Sequence, residues 1–340
     1  MFRNHDLVEE LEVYRPIGDR VVLISFDPWA VHTGKWQPML RRILAEGFRI
    51  IAFDRSRLVE EQIEQVYRKN HPIHETSAWH LPRHVYTLGV TFTLLLMTEP
   101  GDTPAPVRMK ALKGVSSPLI HHAGQLRHDF RAPNKSLSLM HSSDDWDSTA
   151  HEALVFFSPD ELHHALSDPH AERSDAYAHA LLTEDTHENL EAVREIAPTQ
   201  LIQKLRLRLL ELLAAMGTTP DTTARILDAW RQSAQPSPEG QEDVPAEAAR
   251  FVALMSAQRA DLEALKLVCP PTIAQPRRYV RHRDPVALFN LLEALSLPEA
   301  YATVDVEHLL AAARFPLDRW EDLLLRTTLF HFSEVQRVNA

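Results

Sequence analysis

The sequence predicts a protein of two parts, an N-terminal domain that combines a β-sheet with helices and a C-terminal region made only of helices. In the first half of the chain, apolar runs of strand length alternate with amphipathic stretches of helical period. From about Ser174 onward, the chain is rich in Ala, Leu, Glu and Arg, and one helical pattern follows another. The change of pattern therefore marks the change from a sheet with helices to helices alone.

Four apolar runs have the length and composition of β-strands. They are Arg20–Phe26, Phe48–Phe53, the segment LGVTFTLLLM within Val85–Met97, and Leu137–Met140. Periodicity predicts helices over Trp36–Glu46, Val59–Lys69 and Ser148–Phe157, with a helical turn at Met109–Gly114. Gly47 stands where the first of these helices would end, and Asp147 or Ser148 would cap the last. This alternation is expected when helices pack on a sheet.

The second half contains a series of helical patterns, of which Thr199–Met216 is the strongest and is followed by Gly217. The others are Asp221–Ser233, Ala246–Leu267, Pro285–Leu295, Val306–Ala313 and Leu317–His331. A polar segment with three prolines, Gln235–Glu247, predicts a mobile linker within this region.

Composition argues against several classes of protein. The 340 residues carry a formal net charge of −11, which makes general binding to nucleic acid unlikely. No run of 18 apolar residues occurs, so no membrane span is expected, and the N-terminus lacks the apolar core of a secretion signal. A single cysteine, Cys269, leaves no internal disulfide or thiolate zinc cluster to expect. These features predict a cytoplasmic protein.

Neither the histidine pairs nor the basic cluster of the chain predicts a specific site. His121–His122 and His163–His164 are adjacent pairs, whose side chains do not face one point on a helix. The sequence HEAL at His151 lacks the second histidine of a zinc-hydrolase motif, so no metal site made of side chains is predicted. The segment Arg277–Arg283 is either a solvated loop or a contact to an acidic partner, or else it contacts phosphate or nucleic acid.

One segment, LSLMHSSDDWDSTAHEALVFF (Leu137–Phe157), concentrates polar groups between an apolar strand and a predicted helix. His141 is followed there by two serines and two aspartates. The chain has 19 histidines, so this one is either a chemical group or one of many polar residues.

Six short segments occur in a fixed order along Asp19–Leu162: DPWAVHTG, ILAEGFRI, GVSSP, LRHDF, SLMHSSDD and FFSPDEL. In this order they resemble the landmarks of the nucleoside diphosphate kinase family. SLMHSSDD resembles the pattern around the family's histidine, and Glu152 lies eleven residues after His141, as the family's histidine-orienting glutamate does. Tyr67 falls where the family has a tyrosine near its phosphate site.

The resemblance implies an α+β fold for residues 19–170, with a ferredoxin-like four-stranded antiparallel sheet and helices on one face. Residues 1–18 would then be an N-terminal extension, and residues 171–340 a helical C-terminal domain. The resemblance also implies a phosphotransferase whose donor is a nucleoside triphosphate, with Mg²⁺ bound to the nucleotide, and assembly as a homo-oligomer.

By this resemblance, His141 would accept the phosphoryl group and carry it as phosphohistidine. Glu152, or a water or hydroxyl linked to it, would hold one ring nitrogen so that the other presents its lone pair, and Ser143 would form a hydrogen bond nearby. Contacts to phosphate oxygens are expected from Arg127, Lys110, Tyr67, Ser116 and Ser138.

The expected phosphate site departs from the family pattern at several positions. Asp27 stands where the family has a phosphate-binding lysine, and Trp29 stands at its following aspartate. A carboxylate there would repel a triphosphate, at a cost on the order of 1 kcal/mol or more. Ser138 replaces an asparagine, Ser142 replaces a glycine, and Lys110 replaces an arginine that could bind phosphate through two bonds.

Several of these residues also have a purely structural interpretation. Arg127 could form an ion pair with Asp129 or Asp144 in place of a phosphate contact. Tyr67 could belong to the core, and Lys110 could be a solvated surface lysine.

Three functions are therefore open. The first is a divergent nucleoside diphosphate kinase-like phosphotransferase with a phosphohistidine intermediate on His141, which the spacing to Glu152 favours. The second is a catalytically impaired nucleotide-binding, sensing or scaffold protein whose helical domain binds a protein partner, which Asp27 favours. In the third, the helical domain supplies a function of its own and the first domain only drives oligomerisation.

Overall fold

The computed structural model describes residues 4–67, 80–167, 171–183, 197–216, 220–233, 244–268, 285–298, 301 and 305–338. The chain forms two compact units, Met1–Glu195 and Ile196–Ala340. Among the described residues, none of the helices combines the length and apolar character needed to cross a bilayer.

The N-terminal unit is built on a four-stranded sheet with the order β2-β3-β1-β4. The strands are β1 (Val21–Phe26), β2 (Arg49–Ser56), β3 (Thr91–Met97) and β4 (Met140–Ser142). Each neighbouring pair is antiparallel. The predicted α+β, ferredoxin-like sheet is confirmed.

Helices cover both faces of this sheet, so the expectation of helices on one face is wrong. Every residue of β1 and β3 is buried. On one face Trp36 stacks on Phe92, with ring centroids 4.4 Å apart, and on the other Trp146 packs in a cluster with Leu23. Burial on both faces explains why these strands are continuous apolar runs without polar alternation.

The described helices of this unit lie before, between and after the strands. They are α1 (Asn4–Leu11), α2 (Arg15–Gly18), α3 (Pro28–His32), α4 (Trp36–Ala45), α5 (Glu60–Val66), α6 (His80–Leu88), α7 (Ala105–Lys113), α8 (Leu126–Asp129), α9 (Trp146–Phe156), α10 (Pro159–Ser167) and α11 (Ala171–Thr183).

Two elements near the histidine segment begin elsewhere than predicted. The strand starts at Met140, not Leu137, because Leu139 has a φ of 70°, a left-handed conformation that does not continue a strand. The next helix starts at Trp146, where Asp145 accepts a hydrogen bond from the Ser148 amide at 2.7 Å. Asp145 is therefore the N-cap, in place of the predicted Asp147 or Ser148.

The predicted turn at Met109–Gly114 is the second half of α7, which begins at Ala105. Pro106 lies in the first turn of this helix, where a missing backbone donor has no cost. The buried residues of the helix are Ala105, Pro106, Met109 and Lys113. One face of α7 is thus turned toward the sheet, and a lysine lies on it.

Side chains of the chain itself bind both edges of the sheet. At β2, the amide of Ile50 donates to Ser174 Oγ at 2.8 Å, and Tyr177 of α11 packs edge-on against Phe53. At β4, Arg127 donates to the carbonyl of Met140 at 2.6 Å. Helix α11 therefore belongs to the first compact unit, whereas the sequence predicts a domain boundary before it, at residue 170.

The N-terminal extension packs against α9. Leu11 is buried in the cluster that contains Trp146 of that helix, and Arg15 forms a 2.6 Å ion pair with Asp147. The hydroxyl of Tyr14 lies 2.6 Å from Ser167 Oγ on α10. These contacts fix the position of α9, on which Glu152 lies.

The C-terminal unit is helical in its described residues, as predicted. Its helices are α12 (Pro198–Ala215), α13 (Pro220–Ser233), α14 (Val244–Ala257), α15 (Arg259–Val268), α16 (Pro285–Ala294), α17 (Val306–Ala313) and α18 (Arg319–Val338). Most of the predicted linker, Cys269 and the basic segment Arg277–Arg283 lie outside the described residues.

The single helix predicted over Ala246–Leu267 is two helices that meet at Gln258, beside a buried arginine. Gln258 lies between α14 and α15 and accepts a 2.9 Å hydrogen bond from Arg206. The guanidinium of Arg206 also lies 4.0 Å from the centre of the Trp230 ring, and burial lowers its pKa to about 9. The break in the helix places the Gln258 side chain against this buried cation.

Candidate active site

His141 lies in the middle of the edge strand β4 and pairs with Ser25 of β1. Its Nε2 atom is 2.8 Å from Glu152 Oε2, and the two side chains are 15% and 8% exposed. An ionised carboxylate can only accept a hydrogen bond, so in the tautomer that donates to it Nε2 carries the proton and the lone pair is on Nδ1. The structure therefore brings together the two residues that the sequence pairs by their spacing.

Tyr67 lies beside the histidine at the C-terminal end of α5. Its ring meets that of His141 edge-on, with centroids 5.2 Å apart. Its hydroxyl is 3.0 Å from the hydroxyl of Tyr86 on α6, and burial raises the pKa of Tyr67 to about 12. The phenol therefore stays protonated near neutral pH and can donate a hydrogen bond. No motif in the sequence pointed to Tyr86, the partner of Tyr67 on α6.

Asp27 is buried and caps a helix. Its Oδ1 atom accepts a 2.8 Å hydrogen bond from the amide of Ala30, at the start of α3. Burial raises the pKa of Asp27 to about 6, against the hydrogen bonds and the charges of Arg127 and Lys35. The pair Asp27–Pro28 is a strong local signal for a helix start, which the sequence analysis did not use.

Arg127 is buried and donates to main-chain carbonyls around β4. Its bonds run to Gly114 O at 2.9 Å, Ser138 O at 2.9 Å and Met140 O at 2.6 Å, with a further bond to Ser138 Oγ at 3.2 Å. The predicted ion pair with an aspartate is wrong, because Asp129 pairs with Arg42 and Asp144 pairs with Lys110.

The remaining predicted residues either are exposed or form hydrogen bonds with groups other than the His141 ring. Lys110 and Asp144 form an exposed 3.1 Å pair, and Ser116 is exposed in the loop after α7. The hydroxyl of Ser143 accepts from the Leu23 amide at 3.0 Å and lies 2.6 Å from Thr149 Oγ1. Ser143 thus ties β4 to β1 and to α9, while Ser138 is bound by Arg127.

Lys113 is a buried cation that the sequence analysis missed. Its Nζ donates to Ser142 Oγ at 2.7 Å, directly after His141 on the strand. The signal that could have identified it is its spacing of four residues from Met109, on the buried face of α7. Burial, together with the charge of Arg127, lowers the pKa of Lys113 to about 7.

The family model "Nucleoside diphosphate kinase" matches residues 21–162. The nucleoside diphosphate kinase of Herpetosiphon aurantiacus is 30% identical over 141 residues, which are 41% of this chain and 89% of that protein. The chain belongs to the nucleoside diphosphate kinase family. The corresponding protein of Roseiflexus sp. is 29% identical over 140 residues, 41% of this chain and 89% of its own length.

A solved structure of a nucleoside diphosphate kinase family protein from Babesia bovis is similar over 42% of this chain and 90% of that one. Its sequence identity is 22% and its TM-score is 0.37. The nucleoside diphosphate kinase segment, residues 21–162, begins at β1 and ends within α10. The extension that packs on α9 and the helical unit both lie outside it.

We expect Asp27→Asn to stabilise this nucleoside diphosphate kinase segment at neutral pH. The pKa of the Asp27 carboxyl is about 6 in the folded protein, against an ordinary 3.8. The carboxyl therefore stabilises the folded state most when it is protonated. That contribution is complete below pH 3.8 and is lost as the pH rises through 6. Asparagine caps a helix as well as aspartate and does not ionise, so the gain at pH 7.5 is on the order of 2–3 kcal/mol.

Urea unfolding at pH 4 and pH 7.5, followed by tryptophan fluorescence, measures this gain. The control is Asp145→Asn, which changes the exposed N-cap of α9. An Asp27→Asn gain of equal size at both pH values would contradict the argument, since only ionisation makes the two conditions differ.

Proposed function

We propose that the chain is a nucleoside diphosphate kinase-like phosphotransferase that carries a phosphoryl group on His141 Nδ1. The observation that supports this most directly is the 2.8 Å contact between His141 Nε2 and Glu152 Oε2. This contact directs the ring proton to Nε2 and makes Nδ1 the nucleophile.

The proposed reaction has two displacement steps. In the first, the Nδ1 lone pair forms a bond to the γ-phosphorus, the bond from that phosphorus to the bridging oxygen breaks, and the nucleoside diphosphate leaves. The ring then carries a positive charge, which the Glu152 carboxylate balances through the retained Nε2 proton. In the second, an oxygen of an acceptor, a nucleoside diphosphate in the simplest case, attacks phosphorus and the P–N bond breaks.

Charge on the transferring group would be spread over nearby donors. We infer that Tyr67, Lys110 and Ser116 contact phosphate oxygens, since Tyr67 adjoins the ring and the other two lie on and after α7. Arg127 and Ser138, which are bonded to each other, would act by supporting β4. This is a change from the role that the family resemblance implies for Arg127.

Mg²⁺ would arrive with the nucleotide and neutralise charge on its phosphates. Glu152 is bonded to His141, Asp144 to Lys110, and Asp27 to the Ala30 amide. The ion would therefore be held mainly by phosphate oxygens and water, as Mg²⁺ usually is at nucleotide sites.

Labelling with γ-³²P-ATP tests the proposal. The wild-type protein should acquire a label that is lost in acid and kept in base, and His141→Ala should lose it completely. The control is His164→Ala, which removes an exposed histidine of α10 and should label normally. Addition of a nucleoside diphosphate should remove the label as nucleoside triphosphate. A label that survives in His141→Ala, or ATP binding without any label, would reject the phosphohistidine mechanism.

Three further expectations stay predictions. They are a cytoplasmic location, a protein partner for the helical unit, and a homo-oligomer. Because α11 packs on β2 through Ser174 and Tyr177, a homo-oligomer would use a surface other than that covered edge.

A further inference from the structure

Lys113 places a buried amine against the strand that carries the proposed phosphohistidine. The residue is 8% exposed, and its described hydrogen bond is the 2.7 Å contact from Nζ to Ser142 Oγ. Lysine is seldom buried, because taking a charged ammonium out of water is unfavourable. A buried lysine with a neutral partner, next to a reactive residue, therefore calls for a functional explanation.

The charges that act on Lys113 come from each element around it. They are Arg127 on α8, Asp144 in the loop after β4, Lys110 one turn earlier on α7, and Glu152 on α9. Glu152 is the carboxylate that holds His141, so the amine and the catalytic pair share one electrostatic environment. Arg127 also donates to the carbonyl of Gly114, the residue after Lys113.

The amine approaches β4 from the face opposite the imidazole. His141 pairs with Ser25 and Ser142 pairs with Ile24, and neighbouring side chains of a strand point to opposite faces. Lys113 is therefore a positioning residue, not a catalytic one, because its contact is Ser142 and not the reacting atoms. Its effect on a phosphoryl group would be electrostatic and would act across the strand.

We propose that Lys113 balances the negative charge of a phosphoryl group on His141 by binding a proton when that group arrives. This inference rests on the proposed function. Asp27 stands where the family has a lysine. Lys113 of α7 would supply a positive charge from the other side of β4. The burial that holds the amine close to half-protonation at neutral pH leaves it free to respond.

The size and direction of the effect follow from linkage. A phosphoryl dianion attracts the ammonium form, so the pKa of Lys113, about 7 without the group, rises when the group is bound. The dianion on a positively charged ring adds one net negative charge, and two unit charges taken as about 10 Å apart in a medium of dielectric about 20 change an equilibrium by roughly ten-fold. Stabilisation of the phosphorylated form should therefore be about ten-fold at pH 6 and vanish near pH 9, where the amine is neutral.

Phosphoramidate allows a test that does not depend on nucleotide binding. In this reaction the P–N bond of the reagent breaks and a P–Nδ1 bond forms on His141. The nitrogen of the reagent leaves as ammonia, with the protons that it already carries. The pH titration of the Lys113 Cε resonance in ¹³C-lysine-labelled protein is then compared before and after phosphorylation, with Lys113→Met used for assignment. We expect the midpoint to rise by about 1 pH unit. An unchanged midpoint would overturn the proposal, and if Lys113→Met does not fold, Lys113→Arg provides the assignment.

A second measurement compares the phosphorylated fraction in ATP–ADP mixtures at pH 6 and pH 9. Lys113→Met should lower the equilibrium constant for phosphorylation about ten-fold at pH 6 and leave it unchanged at pH 9. Lys204→Met, which removes an exposed lysine of α12, should lack this pH dependence. Equal losses at both pH values would indicate a structural role and reject the proposal. Phosphorylation by phosphoramidate but not by ATP would reject the proposed function alone.

Discussion

Replacement of Glu152 by Gln should slow the labelling of His141 by γ-³²P-ATP by about 10²–10⁴-fold, while the protein stays folded. The carboxylate lies 2.8 Å from His141 Nε2 and would balance the positive charge that the ring gains in the proposed phosphorylation. A neutral amide provides no such charge. It can also donate to Nε2, which would move the ring proton to Nδ1 and remove the nucleophilic lone pair.

The matched control is Asp147→Asn on the same helix. Asp147 is exposed and pairs with Arg15, so its charge is screened by solvent and labelling should stay near the wild-type rate. Rapid-quench labelling over a range of times gives the rates, and circular dichroism checks the fold. Labelling of Glu152→Gln at the wild-type rate would mean that the His141–Glu152 contact has no role in the chemistry.

Replacement of Arg127 by Lys should loosen β4, with a loss of about 3 kcal/mol in local stability. The guanidinium makes four hydrogen bonds, to three main-chain carbonyls and a hydroxyl, in a buried position. An ammonium keeps the charge but radiates its donors from one point and cannot reach all four acceptors. Buried carbonyl oxygens would lose their partners.

Hydrogen exchange measures this loss at the strand itself. The amide of Asp27 donates to Leu139 O and the amide of Ser143 donates to Leu23 O. Exchange of these two amides therefore reports the local stability of β4 and of the residues just before it. Their exchange should quicken by about 100-fold in Arg127→Lys. Arg42→Lys is the control, because Arg42 is partly exposed and pairs with Asp129. Slower labelling with unchanged exchange would instead support Arg127 as the phosphate clamp that the family resemblance implies.

The pattern of apolar residues was enough to predict the two central strands. β1 and β3 are buried on both faces, and this burial appears in the sequence as continuous apolar runs. The short edge strand was predicted less well. Leu137 and Leu139 are buried but lie before β4, because the left-handed backbone at Leu139 delays the start of pairing. Backbone dihedral angles of this kind are set by tertiary contacts, and an apolar pattern does not reveal them.

The site shows a similar division between local and long-range information. Family resemblance paired His141 with Glu152, because a fixed spacing across one strand and one helix survives divergence. The cap formed by Asp27 lies within four consecutive residues, Asp27 to Ala30, and could have been predicted from the Asp-Pro pair. The partners of Arg127 lie 11 to 13 residues away in two different loops and a strand. Nothing in the local sequence distinguishes these carbonyls from a phosphate as its acceptors.

The sequence by itself determined the class of fold and the family and predicted the pairing of His141 with Glu152, because these depend on apolar periodicity and on the order and spacing of short motifs. The tertiary structure alone decided which cations are buried beneath β4 and what they bind. Arg127 and Lys113 are charged residues that a sequence places on the surface by default, since burying a charge is unfavourable. Only packing of α7 and α8 against the strand supplies the carbonyl and hydroxyl oxygens that offset this cost.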